Sequence, residues 1–136
     1  MSGYHSSDLQ SAIYFVLTND AGVINKLGSA IYDSIPSGQL PALFAHLGEE
    51  QVFDRSDKTH CLRYHDVTVT VVTSDPGFLN AKKAAASVCE ALENTPVTLD
   101  SGRLIRLQFR TAQALRDDNG TERKIKLIFR AVIDQD

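Results

Sequence analysis

The C-terminal third of the chain leaves the least freedom. Two runs of alternating apolar and polar residues, from 104 and up to 133, flank Asp118-Asn119-Gly120. Ile105, Leu107, Phe109 and Thr111 fall on one face of the first run. Ile125, Leu127, Phe129, Ala131 and Ile133 fall on one face of the second. Strand side chains alternate at period two, so a slip of one residue turns every apolar group to the wrong side. A two-residue loop at Asn119-Gly120 sets Phe109 against Arg130 and mixes the faces. A three-residue loop, Asp118-Asn119-Gly120, pairs Phe109 with Phe129 and Leu107 with Ala131, and Gly120 suits the left-handed position that closes such a loop. The spacing predicts that hairpin. Its opposite face carries Arg106, Gln108, Arg110, Lys124, Lys126 and Arg130, with Ile128 and Val132 among them.

A second strand is expected over 63–73. Val67, Val69 and Val71 point one way, Thr68 and Thr70 the other, and the threonine face need not be buried. Leu9, Ala12, Ile13, Val16 and Leu17 recur at helical spacing behind Ser7, which stands three residues before Gln10 as in a capping box. Asn19-Asp20 caps a short second turn through Val23, Ile24 and Leu27, closed by Gly28. Asp75 and Pro76 read as N-cap and first residue of another helix, with Phe78, Ala81, Ala85, Val88 and Leu92 on its apolar side and Asn94-Thr95-Pro96 at its end. Short strands are expected at Leu43–Leu47 and Val97–Leu99. Pro36 and Pro41 make a loop ahead of the first of these, since neither can donate to a sheet. The polar stretch Glu49–Thr59 reads as an exposed loop or mobile excursion. The expectation is one α+β domain over 1–136: a mixed, mostly antiparallel sheet with two main amphipathic helices packed on one face.

Chemistry-bearing patterns are sparse. With a net charge of −3 the chain lacks the basic balance of a protein that binds nucleic acid by bulk charge. The densest apolar run, Val67–Val72, is interrupted by threonines and too short to span a bilayer. The N-terminus has neither the basic start nor the apolar centre of a signal peptide, so synthesis in the cytoplasm is expected. Cys61 and Cys89 are too few for a disulfide framework and read as reduced thiols. Cys61 and His65 on one strand stand ~13 Å apart, too far to share a metal ion or a proton. Asp54, Asp57 and Asp66 have no flanking pocket to split their pKa values. None of the phosphate-binding, dinucleotide, nucleophile-elbow or zinc-protease motifs occurs. No catalytic, cofactor or metal site is expected, and no enzyme.

Read in order, the chain resembles the small tail-completion family of siphophages, in the version carried by alphaproteobacterial gene transfer agents. The resemblance rests on the Leu9–Leu17 helix, Ile31-Tyr32 before a proline-punctuated loop, Asp54-Arg55-Ser56-Asp57 and the His65-Asp66-Val67-Thr68-Val69 strand. It continues through Gly77-Phe78-x-x-Ala81-Lys82, a helix ending near Leu92, Leu99-x-x-Gly102-Arg103-Leu104, Asp118-Asn119-Gly120 and Leu127-x-Phe129-Arg130. It implies a tail terminator: a structural ring of such chains, hexameric in the family, that caps the tail tube and joins it to the head connector while DNA passes through. A head–tail adaptor or minor capsid protein of the same particle is the alternative. The implied partners are other copies of the chain, the tail-tube protein, the connector or stopper protein and, transiently, DNA, with no membrane and no cofactor. The place implied is the head–tail junction. A ring needs contacts between copies, and Asp54, Arg55 and Asp57 are expected at or beside them. Arg106, Arg110, Lys124, Lys126 and Arg130 are expected to face the lumen or an acidic partner ring.

Overall fold

The computed structural model describes residues 4–117 and 119–135. The elements are α1 (Ser6–Asn19), α2 (Ala21–Leu27), β1 (Ile31–Tyr32), β2 (Leu43–His46), β3 (Glu50–Asp54), β4 (Leu62–Thr73), α3 (Leu79–Asn94), β5 (Arg103–Arg116) and β6 (Arg123–Asp134). The sheet runs β1-β2-β4-β6-β5, and β3 also lies on β4. Every pairing is antiparallel except β1 with β2. This is the expected α+β architecture.

The helices cover one face of the sheet because each carries a single apolar stripe. Leu9, Ile13, Val16 and Leu17 of α1, Val23 and Leu27 of α2, and Ala81, Ala84, Ala85, Val88, Ala91 and Leu92 of α3 are buried. They meet Val67, Val69 and Val71 of β4 and Ile125, Leu127, Phe129, Ala131 and Ile133 of β6 in one core. The alanines keep α3 slim enough to lie close on the strands. α2 begins as its sequence dictates: the Asp20 carboxylate accepts from Val23 N at 3.0 Å, and Gly28 ends the helix at φ 59°.

Several local expectations are corrected. α1 starts at Ser6 with His5 at the cap position and no side-chain cap. Ser6 instead reaches Glu50, and Gln10 reaches Asp33. α3 starts at Leu79, three residues beyond Pro76, and Asp75 receives Asn80 Nδ2 at 2.8 Å rather than capping the helix. Val97–Leu99 forms no strand, although Val97 and Leu99 pack on the core. Thr70 is only 1% exposed, so part of the threonine face is buried. The same face carries a small apolar cluster, in which Leu40 of the connection over 33–42 packs with Tyr32 on Ala30, Phe44 and Val72.

The hairpin pairs Leu107 with Ala131 and Phe109 with Phe129, as expected, but reaches that register differently. Arg116 pairs with Arg123, and Asp117 N donates to Glu122 O at 3.1 Å, so the pairing runs on to Asp117 and Glu122. Asp118, assigned to the loop from sequence, lies outside the described residues. Gly120 does adopt the left-handed conformation, at φ 69°. The register shifts at Arg110 and again at Ile105, each the extra residue of a bulge. Beyond Arg110 the faces exchange. Thr111 therefore sides with Gln108, and Ala112 and Ala114 oppose Leu127 and Ile125.

Candidate functional site

The face of the sheet that the helices leave uncovered can be read row by row across the strands. Phe53, Tyr64, Val132 and Arg106 form one row, and Gln51, Asp66, Arg130 and Gln108 the next. Further along lie Thr68, Ile128 and Thr111, then His46, Thr70, Lys126 and Gln113, and last Phe44, Val72, Lys124 and Leu115. The basic residues named from sequence thus separate into groups with different chemistry.

Arg130 is not a free cation. Its Nε and Nη2 donate to the two Asp66 oxygens at 2.7 and 2.9 Å. Its guanidinium also lies 4.8 Å from the centre of the Tyr64 ring and 5.9 Å from that of Phe53. The Asp66 hydrogen bonds and charge raise the Arg130 pKa further above its ordinary value. A bidentate fork on a carboxylate between aromatic faces is the arrangement arginine favours. The pair is neutral overall and braces the sheet.

Lys124 and Lys126 stand side by side on β6 and are half-buried. They act on His46, whose pKa is lowered chiefly by burial and further by the two lysines, against the opposing pull of Glu49. His46 is therefore held neutral at pH 7, and the two lysines carry the charge here. Arg106 is exposed at the edge of the sheet opposite Val132. Arg110 is exposed too, but as a bulge residue it is not assigned to either face by strand alternation.

Asp54, Arg55 and Asp57 lie at the tip of the β3–β4 hairpin. This corrects the reading of Glu49–Thr59 as an irregular excursion, since Glu50–Asp54 pairs with Arg63–Val67. The Asp54 carboxylate accepts from Ser56 N at 2.9 Å and Ser56 Oγ at 2.6 Å. Asp57 accepts from Thr59 N at 2.9 Å and His60 N at 2.7 Å. These bonds hold both carboxyls below the ordinary aspartate pKa. Arg55 lies 5.6 Å from the ring centres of both Phe53 and Tyr64. The aspartates shape the turn, and Arg55 lies along an aromatic pair shared with Arg130.

Two interactions on the helix side were not read from sequence. His65, 0% exposed, donates from Nδ1 to Glu50 Oε2 at 2.8 Å. Tyr4 stacks on its ring, and Ser6 bonds the other Glu50 oxygen. Beside them His5 Nδ1 lies 2.9 Å from Ser101 Oγ, which also bonds Asp8. The two clusters tie the start of α1 to the sheet and to the approach to β5. The only advance signal was a histidine on the valine side of β4, at Val67 minus two. Cys61 is not beside His65 in this cluster, and its carbonyl accepts from Gln135 N at 2.9 Å. Among the described residues no three His, Cys, Asp or Glu side chains are grouped to hold a metal ion.

Comparison with known proteins gives these surfaces a context. None of the curated proteins compared with the chain matches it. Among solved structures, a chain of the "Virion of native gene transfer agent (GTA) particle" is similar at 40% sequence identity and a TM-score of 0.91. The match covers 98% of this chain and 99% of that one. The family model described as "Tail completion protein gp17" matches residues 11–134. With all but the ends of its sequence inside that match, the chain belongs to the tail completion protein gp17 family.

Proposed function

We propose that the chain is a tail terminator: a structural subunit whose copies form a ring, six in number, at the head-proximal end of a tail tube in a phage-like particle of the gene-transfer-agent type. The observation that carries this reading is the 40% identity over nearly the full length of a chain from such a virion, together with the family match. The 136 residues act as one domain without catalytic or cofactor chemistry. The partners are other copies of the chain, the tail-tube protein on one side and the head connector or stopper on the other, with DNA passing through the lumen. No helix among the described residues is long and apolar enough to cross a membrane.

Within that reading Asp54, Arg55 and Asp57 lie at or beside a contact between copies, where the hairpin tip presents a shaped turn and an exposed guanidinium. Lys124 and Lys126 face the lumen or an acidic partner ring. A lumen must let DNA slide, and a few cations per copy repeated around a ring make a local field without tight binding. The deciding experiment is the solution mass of the purified chain, alone and with the tail-tube protein, together with the fate of tails when the gene is removed. A ring-sized species and tails of uncontrolled length or unjoined to heads are expected. A chain that stays monomeric with the tube protein, and whose loss leaves tail length and joining unchanged, refutes the proposal.

A further inference from the structure

Among the described residues the sheet ends in two edges that pair with no further strand, at the same height. Asp54 aligns through Arg63 and Ile133 with Leu104, Val52 through His65 and Ala131 with Leu107, and Glu50 through Val67 and Phe129 with Phe109. One edge is therefore β3 and the other is the first half of β5, directly across a sheet four strands wide. The antiparallel order β3-β4-β6-β5 makes β3 and β5 run in opposite directions. A second copy set beside the first without rotation about the strand normal brings its β3 antiparallel to this β5.

The two edges are also complementary in charge. β5, over Arg103–Arg116, has four arginines and no acidic residue, while Glu49–Asp54 has three acidic residues and no basic one. The β5 edge exposes Ile105 at 43% and Phe109 at 42%, apolar surface that a neighbouring strand would cover. An unpaired edge of this length is a template for another strand, and proteins restrict such edges with charge and bulges. β5 carries both, in its arginines and in the bulges at Ile105 and Arg110.

We propose that β3 of one copy pairs antiparallel with the β5 edge of the next, so that the sheet continues from copy to copy. This rests on the ring reading and supplies its contact: such head-to-tail joining uses two different surfaces, and it closes into a ring when the rotation between copies permits. In the in-line register Arg106 meets Phe53 of the partner subunit, and Arg110 approaches Glu49 of the partner subunit. Arg106 and Arg110 then find their acidic and aromatic partners in a neighbouring copy, and only Lys124 and Lys126 remain for the lumen or another protein.

The test places a photo-crosslinking benzoylphenylalanine at Gln108 in the full chain, within particles assembled in the producing cell. Gln108 and Gln51 of the same copy are three strands apart, about 14 Å, so an adduct within 49–55 reports a second copy. Glu49→Arg and Arg110→Glu, both at exposed positions, are then produced singly and together. Each alone is expected to lower particle yield about tenfold or more through like charges at the contact. Together they should restore it, since alternating copies pair reversed with reversed and native with native. Adducts that map to a second copy outside 49–55, or failure of the two variants to rescue one another, overturn the edge pairing while a ring-sized mass leaves the ring reading standing. A monomeric chain with no adduct to a second copy overturns both.

Discussion

Phe129 and Phe109 face each other across the hairpin with ring centres 6.0 Å apart, edge to face, yet Phe129 is 0% and Phe109 42% exposed. Alanine at each position therefore separates burial from pairing. Phe129 sits between Val67 and Phe109 at the centre of the core, so Phe129→Ala removes a fully buried ring and leaves an enclosed space. That combination costs about 3–5 kcal/mol, a large part of the ~5–15 kcal/mol of a typical domain. Phe109→Ala loses a little over half of a phenylalanine's burial and opens no enclosed cavity. At about 1.5–3 kcal/mol for full burial, its cost is about 1–1.5 kcal/mol. Urea unfolding of the two variants, at concentrations where the chain is monomeric, should separate their stabilities by about 1.5–4 kcal/mol, or roughly 5–15 °C in Tm. Assembly should rank them in reverse after correction for stability, because Phe109 lies on the edge offered to the next copy. Equal losses of monomer stability would falsify the placement of Phe129 as the centre of the core. Unimpaired assembly of Phe109→Ala would remove Phe109 from the contact.

Three further outcomes are expected. Burial disfavours the Glu50 carboxylate, but the hydrogen bonds from His65 and Ser6 outweigh it and lower its pKa from the ordinary 4.5. A depressed carboxyl contributes stability that is full above the unfolded pKa and lost as pH falls through the folded one. Glu50→Gln should therefore flatten the acid limb of stability between about pH 5 and pH 3, and urea midpoints that fall as steeply as the parent's would rule this out. Arg55→Glu should leave the monomer folded by circular dichroism yet reduce ring and particle formation, and normal assembly would place Arg55 away from any contact. Lys126→Glu should weaken low-salt DNA retention if the face lines the lumen, or block tail joining with DNA retention unchanged if it meets an acidic protein. Parent-like behaviour in both assays leaves it a solvated surface.

The sequence was legible where one physical constraint dominated. The core stripes of α1 and α3 follow from helical period, and the pairing of Phe109 with Phe129 follows from keeping both on the core side. The register beyond Arg110 was misjudged because a bulge shifts it by one residue, and alternation alone is blind to that. β3 escaped notice because Glu50-Gln51-Val52-Phe53-Asp54 is short and ends in charges. Its strand character comes from β4 rather than from its own pattern. Thr70 is buried although alternation along β4 puts it on the side away from the helices. For the basic face, composition gave the residue types but not the partners. Only the pairing of β4 with β6 reveals that Asp66 neutralises Arg130 while Lys124 and Lys126 remain charged.

The bulge at Arg110 changes what evolution can do to this strand. In a regular strand, loss of one residue turns all that follow to the opposite face and ruins the core. Arg110 is the residue without a cross-strand partner, between Phe109 opposite Phe129 and Thr111 opposite Ile128. Deleting it would make those two pairs consecutive and leave every other side chain on its present side. The strand can thus shorten by one residue here, and for the same reason at Ile105, with its register intact. A deletion series through β5 should find the fold of the monomer preserved on loss of Ile105 or Arg110, where loss of their neighbours disrupts it.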